Sequence, residues 1–212
     1  MPTAEPQQTR SRETYERVVT AAERLFADVG EPGFTIPAVS RLAGVSIGTV
    51  YKRFATKEAL LLAVLARLRT EQSLQLYAGW DAVDWRRLDS RSMLLRLIGD
   101  IAATWRDHAP LMRALMARRL RSDRDRTFDE GVDSLASHAA RFERVLLTHA
   151  KEIAAADQRH AIEFAFRLTI AACGRWTAET IETFTPDPMD WEAMIENLTD
   201  VLNAYLFGVG AC

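Results

Sequence analysis

The chain has 212 residues, of which 48% are apolar and 26% charged, and its formal net charge is −2. This composition is globular, and the length supports one large domain or two small ones with a core that needs no disulfide or zinc. The two cysteines, Cys173 and Cys212, make neither a disulfide framework nor a four-ligand zinc site and suit a reducing compartment.

No uncharged apolar run approaches the roughly 18 residues of a membrane span. Residues 1–10 are polar, contain Pro2 and Pro6, and lack the apolar stretch of a secretion signal. A cytoplasmic protein with no membrane partner is expected.

Taken in chain order, almost every segment has helical periodicity. Residues 1–10 are expected to be a disordered tail. Tyr15, Val18, Val19, Ala22, Leu25, Phe26 and Val29 mark an amphipathic helix over 11–29, stopped by Gly30, Glu31, Pro32 and Gly33. Thr35 is an N-cap candidate for a short helix to about residue 43. Pro37 falls in its first turn and Gly44 supplies the left-handed stop. Ser46 opens a second short helix to about Phe54, and Thr56 caps a third start that continues through the apolar run 60–76.

Residues 81–90 are polar and expected to be irregular. Further helices are expected at 91–108, from Pro110 to about 120, at 128–153, at 158–184 and at 189–207. Asp187 caps the last of these, with Pro188 at its first position. The charge run 122–130 reads as a loop. No period-2 strand and no repeat of 20 to 50 residues is present, so the expected fold is all-α.

Charge is distributed unevenly. Between Pro32 and Lys57 there is no Asp or Glu, while Arg41, Lys52, Arg53 and Lys57 contribute +4. Residues 61–212 carry 19 basic and 22 acidic side chains, a net of −3. A basic patch on an otherwise acidic chain is a local electrostatic footprint for a polyanion.

Two short helices joined by a tight glycine turn, behind a longer helix, form a helix-turn-helix arrangement. At about 100° per residue, Ile47, Val50 and Phe54 cluster on one side of the second short helix, and Thr49, Lys52 and Arg53 lie opposite. Val50 and Phe54 pack against Val39, Leu42 and the first helix; the second set offers hydroxyl, ammonium and guanidinium groups suited to base edges and phosphates. Gly48 removes a side chain where the start of that helix approaches a duplex.

The run Ala43-Gly44-Val45-Ser46-x-Gly48-Thr49-x-Tyr51-x-x-Phe54-x-x-Lys57-Glu58-x-Leu60 resembles the DNA-binding module of the TetR/AcrR family of bacterial transcriptional regulators. Ala21, Ala22, Leu25 and Phe26 ahead of Gly30 extend the resemblance over residues 11 to 62. It implies a helix-turn-helix domain over 11–58 and an effector-binding and dimerisation domain over 59–212. Thr35 and Tyr51 would donate hydroxyls to phosphates, and Lys57 would sit against the backbone. Ser46, Ile47, Gly48, Thr49, Lys52 and Arg53 would line the major groove of double-stranded operator DNA. Pro37 departs from the polar residue usual at its position and puts one phosphate contact in doubt. The implied protein is a repressor, bound to a palindromic operator as a homodimer and released by a small apolar effector.

In the second half, apolar residues cover the circumference of the helix around 162–173. Trp191, Met194, Ile195, Leu198, Val201, Leu202 and Tyr205 form a seam on the last helix. These two helices are expected to pair with those of a second copy. Trp105, Met112, Met116, Phe142, Phe166 and Trp176 are candidates to line an effector pocket. Glu163 either meets a cationic group there or pairs with Arg167 one turn on.

Other classes of function fit less well. Gly44-Val45-Ser46-Ile47-Gly48 is a G-x-S-x-G string, but a nucleophile elbow needs a strand before it and here a helix precedes it. Ser46 is therefore not assigned catalysis, and no catalytic residue is expected. His108, His138, His149 and His160 form no H-x-x-x-H pair, so no metal site is expected, and no cofactor is implied. The remaining alternative is a helical scaffold protein that does not bind DNA.

Overall fold

The computed structural model describes residues 5–121, 129–177 and 190–208, which hold nine α-helices and no strand. The helices are α1 (Glu5–Gly33), α2 (Ile36–Ala43), α3 (Ile47–Tyr51), α4 (Lys57–Asp81), α5 (Ser90–Asp107), α6 (Ala109–Arg121), α7 (Asp129–Leu146), α8 (Gln158–Thr177) and α9 (Trp191–Phe207). Short 3₁₀ turns stand at Trp85–Arg87 and Leu147–His149. The chain divides into two compact units, residues 1–71 and 72–212.

In the first unit, α1 begins at Glu5, ahead of the expected start at residue 11. Pro6 falls in its first turn, where its missing N–H costs no intrahelical bond. The expected stop holds: Gly30 breaks the helix at φ 62°, ψ −169°, a conformation that glycine adopts without penalty. The core is built from Val18, Val19, Ala22 and Phe26 of α1, Phe34, Ile36 and Val39 around α2, Val50 of α3, and Leu60, Leu61, Val64 and Leu65 of α4. Phe26 and Phe34 meet edge to face at 6.4 Å. Three residues of the expected apolar faces lie outside this core: Tyr15, Val29 and Leu42 are exposed, Val29 standing next to the break at Gly30.

Charge also ties this unit together. Arg67 of α4 lies 3.0 Å from Glu16 and 2.9 Å from Glu23 of α1, and bonds Glu71 one turn on. The Glu23 contact is electrostatic only, because its buried Oε1 has no aligned hydrogen-bond donor.

The second unit is centred on Trp80, Trp85, Met93, Leu94, Leu97, Ile98, Phe142, Leu146, Ile162, Ala165, Phe166, Cys173, Leu202 and Leu206. α5 runs through its middle and packs on α8 and α9; α8 also packs on α7 and α9. The stretch 81–90 is more ordered than its polarity implies. Trp85 is buried in the 3₁₀ turn and donates its indole N–H to the Trp80 carbonyl at 2.9 Å, while Asp89 caps α5 by accepting from the Ser92 amide at 2.8 Å. α7 ends at Leu146 and does not continue to Ile153. The Thr148 hydroxyl takes the Val145 carbonyl at 2.6 Å, and beyond the 3₁₀ turn the Ala154 amide is claimed by Leu206 of α9 at 2.8 Å. The last helix starts at Trp191. Its cap is Asp190, extended at φ −78°, ψ 178° and accepting from the Ala193 amide, rather than Asp187. Asp187, Pro188 and the expected continuation of α8 to 184 lie outside the described residues.

Candidate nucleic-acid interface

The first unit carries the geometry that the motif predicts, and local bonds explain why. Thr35 is extended and its hydroxyl accepts from the Ala38 amide, starting α2 with Pro37 in the first turn, where proline is tolerated. Gly44 closes α2 at φ 62°, ψ 40°, and its amide reaches the Ser40 and Arg41 carbonyls. The Val45 amide returns to Ser40 O at 3.1 Å, and the buried Ser40 hydroxyl donates to Val45 O at 2.6 Å. The chain therefore reverses in two residues, and Ser46 immediately caps α3 by accepting from the Thr49 amide at 3.1 Å.

Regular helix in α3 ends at Tyr51, short of the expected Phe54, although the Arg53 and Phe54 amides still reach Val50 O at 3.0 Å. Val50 is 0% exposed and Phe54 is buried, stacking at 5.4 Å on Tyr15 of α1. Ile47, which the helical wheel places with them, is instead 45% exposed. It is the first residue of α3 and lies a full turn away from the core that Val50 enters. Thr35, Ser46, Gly48, Tyr51, Lys52 and Lys57 are also exposed, and Thr49 and Arg53 are half-buried.

The half-buried pair has partners within the unit. The Thr49 hydroxyl shares a 2.8 Å bond with that of Ser46, and Arg53 Nη1 donates to the Ser11 hydroxyl of α1 at 3.2 Å. Ser46 thus has a definite structural task, which its exposure alone does not reveal. Tyr51 is 49% exposed. Thr56 caps α4 through the Ala59 amide, and the Lys57 ammonium at that helix start lies 5.9 Å from the Phe34 ring centre. No carboxylate interrupts the sequence from Pro32 to Lys57. The segment therefore offers hydroxyls and cations from residues that include no acid of their own, the chemistry that suits phosphates and the acceptor edges of bases.

Gly48 adds an independent pointer. A Cβ built on it meets nothing closer than Ser46 Oγ at 3.8 Å, and its backbone is ordinary helix. Nothing inside the protein requires glycine there, although glycine weakens a helix.

One contributor had no visible signal in the sequence. Arg17 of α1 donates from Nη2 to Ala43 O at 2.9 Å and Gly44 O at 3.0 Å, across 26 and 27 positions of chain.

The effector candidates in the second unit do not gather at one place. The Trp105 ring and the Met116 thioether both flank Gly174 of α8, where an added Cβ would meet them at 3.6 Å. Met112 is half-buried on α6, and Trp176 packs at the margin of the core. Phe142 and Phe166 are core residues whose rings meet at 5.6 Å. Glu163 is exposed on α8 and bonds Arg167 at 2.6 Å, so it does not point into an apolar interior. A hollow of about 710 Å³ lies between α7 and α8, with Leu135, Ala139, Ile162, Phe166 and Ile170 among its apolar lining and Glu143, Arg159, Glu163 and Arg167 as its charged residues. Of the seven candidates, Glu163 and Phe166 line it. Burial pushes the Cys173 thiol up to about 12, which makes it an inert core residue. No helix among the described residues is long and apolar enough to cross a membrane.

Comparison with known proteins points the same way. Residues 18–64 match the family model described as bacterial regulatory proteins, tetR family. An uncharacterised helix-turn-helix transcriptional regulator, TtgW, of Pseudomonas putida is 35% identical over 86 residues. That match takes in 38% of this chain and 64% of the regulator, so the chain spans less than two thirds of that relative. The fold is shared with a protein from Mesorhizobium loti solved as a TetR-family transcriptional regulator, at a TM-score of 0.69 and 17% identity over 92% of this chain and 97% of that one. It is shared as well with a transcriptional regulator from Saccharomonospora viridis solved in complex with choline, at a TM-score of 0.67 and 18% identity over 90% of this chain and 96% of the other.

Proposed function

From the match of residues 18–64 to the tetR family of bacterial regulatory proteins, we propose that the chain is a ligand-responsive transcriptional repressor of that family that binds a near-palindromic operator as a homodimer. The observation that carries the reading is α3 itself. Its one core residue, Val50, is fully buried, while Ser46, Ile47, Gly48, Tyr51 and Lys52 are exposed on an acid-free stretch. In this reading α3 enters the major groove with Ile47, Thr49, Lys52 and Arg53 toward base edges. Gly48 lets the backbone approach, and Ser46 holds the helix start. Thr35, Tyr51 and Lys57 fix the register on phosphates.

Dimerisation is proposed through α8 and α9. Phe164 of α8 and Tyr205 of α9 are 46% and 44% exposed with rings 5.3 Å apart, and Val201 of α9 is 58% exposed. Such a patch is suited to cover by a second copy in an isologous contact. The effector is proposed to be a small, largely apolar molecule held in the second unit. Support for the apolar character comes from Trp105 and Met116 beside Gly174; the choline complex of the similarly folded S. viridis regulator, whose ligand is a cation, supports only that such a fold holds a small molecule. Binding would release DNA only through differential affinity for the two states.

Selection from a pool of random duplexes tests the reading. It is expected to return a recurring site with half-sites about 34 Å apart. Affinity for that site should fall by orders of magnitude, roughly 10³-fold or more, between 50 and 200 mM salt. Recovery of no site, or a flat salt response, would leave the helical scaffold.

A further inference from the structure

We propose that Arg17 of α1 is a positioning residue for DNA recognition, acting as a clamp on the turn that aims α3. The proposal rests on the regulator reading and adds to it a residue that touches no DNA.

Two peptide planes set the angle between α2 and α3: the one whose carbonyl belongs to Ala43 and the one whose carbonyl belongs to Gly44. Arg17 Nη2 holds both oxygens, at 2.9 and 3.0 Å. These are carbonyls at the C-terminal end of α2, which no amide of that helix can satisfy and which carry its partial negative charge. A guanidinium suits that position in charge and in hydrogen bonding alike. Its Nη2 would also lie 3.8 Å from a Cβ at residue 44, so it sits directly over the left-handed glycine. Ser40 fixes the same turn from the other side, through its hydroxyl to Val45 O and its carbonyl to the Val45 amide. Ser46 caps α3 at the next residue. With Ser40 alone the turn is held at one edge, and the Ala43 and Gly44 planes can rock. With Arg17 in place the turn is referenced to α1, whose Val18 and Val19 anchor it in the core.

The test compares the full chain with Arg17→Met, which keeps an unbranched stem, and Arg17→Lys, whose ammonium can reach a carbonyl. Arg17→Met should weaken binding to the selected site by about tenfold, the effect of losing hydrogen bonds to a charged donor. The slope of log affinity against log salt should not change, because no phosphate contact is removed. Arg17→Lys should restore much of the loss. Amide exchange at Gly44 and Val45, whose amides are bonded to Arg41 O and Ser40 O, should accelerate without DNA in Arg17→Met, while amides in the middle of α1 and α4 keep their protection.

A salt slope shallower by about one would make Arg17 a phosphate contact and overturn the proposal. Unchanged affinity, or unchanged exchange at the turn, would also overturn it. If Arg17→Met fails to fold, Arg17→Ala, a good helix former at this exposed position of α1, carries the same two readouts. A wild-type chain that selects no DNA site would remove the regulator reading, and the exchange measurement would still judge the clamp.

Discussion

The first unit places its informative side chains on the outside and the second places them on the inside. In residues 1–71, caps and turn bonds do much of the organising: Thr35, Gly44, Ser46 and Thr56 each start or stop a helix within a span of 22 residues. The core beneath them needs only to hold three short segments at fixed angles, and the polar groups remain available. In residues 72–212, long helices close over aromatic and aliphatic residues from almost every element. The polar residues there mostly tie helices together at the surface, as Arg91 does with Glu196 and Asp200 at 2.6 and 2.8 Å. Surface chemistry on local elements suits a fixed polyanion, whereas a cavity among long helices suits a variable small ligand.

The largest expected effect separates the units by stability. Phe142 is fully buried, and its ring lies against Phe166. Phe142→Ala should cost about 3–5 kcal/mol in a denaturant titration. The loss should appear in the exchange protection of α5, α7 and α8, with α1 to α3 keeping theirs. Equal loss in both units would show a single cooperative block.

The next effect separates them by function. Tyr51→Phe removes one exposed hydroxyl and Lys57→Ala one exposed ammonium. Each should lower operator affinity by about 10- to 100-fold, the range for a charge-assisted hydrogen bond. The unfolding midpoint should move little for Tyr51→Phe and slightly for Lys57→Ala, which also gives up its place over Phe34. A scaffold protein would show no change in any DNA titration.

Gly48→Ala sharpens the same point with opposite signs. Alanine is the better helix former and there is room for its methyl within the protein, so stability should rise by about 0.5–1 kcal/mol. Operator affinity should fall, because the added methyl stands where α3 approaches the duplex. A variant that binds as well as the parent would mean that no partner comes close at that position.

These contrasts explain which features were legible beforehand. The caps at Thr35, Ser46 and Thr56, the stop at Gly44 and the burial of Val50 and Phe54 all follow from neighbours within a few residues, so the sequence displays them. Ile47 was harder: a wheel gives angular position but not the point at which a helix leaves the core. Arg17 carried no signal, since its partners lie 26 and 27 residues away and are backbone atoms. In the second unit the helices themselves were visible. Their ends were not always so, because past Leu146 the chain is held by the local bond of Thr148 to Val145 and by the bond of the Ala154 amide to α9, and the start at Trp191 is set by a choice between Asp187 and Asp190 as caps. Which of Trp105, Met112, Met116, Phe142, Phe166 and Trp176 meets a ligand depends on how whole helices pack, and periodicity makes them look alike.

The smallest effect comes from acid, and it should act on the two units with opposite signs. In the first unit, burial raises the Glu23 carboxyl above the ordinary glutamate value; Arg67 opposes this, and Glu71 and Glu16 add to it. The folded unit then holds its proton more firmly than the unfolded chain, so this group's contribution falls as pH rises from the ordinary value through the raised one. In the second unit, bonds from the Ser92 amide and hydroxyl lower the Asp89 carboxyl below the ordinary aspartate value. Its contribution is present above the unfolded value and is lost as pH falls through the lowered one. From about pH 6 down to about pH 4, the range around the ordinary glutamate value, exchange protection in α1 and the start of α4 should therefore hold or rise relative to Glu23→Gln. Below about pH 4, near the ordinary aspartate value, the first turn of α5 should lose protection relative to Asp89→Asn. If both variants shift their unit in the same direction, the carboxyl environments of the two units are alike and this part of the contrast is lost.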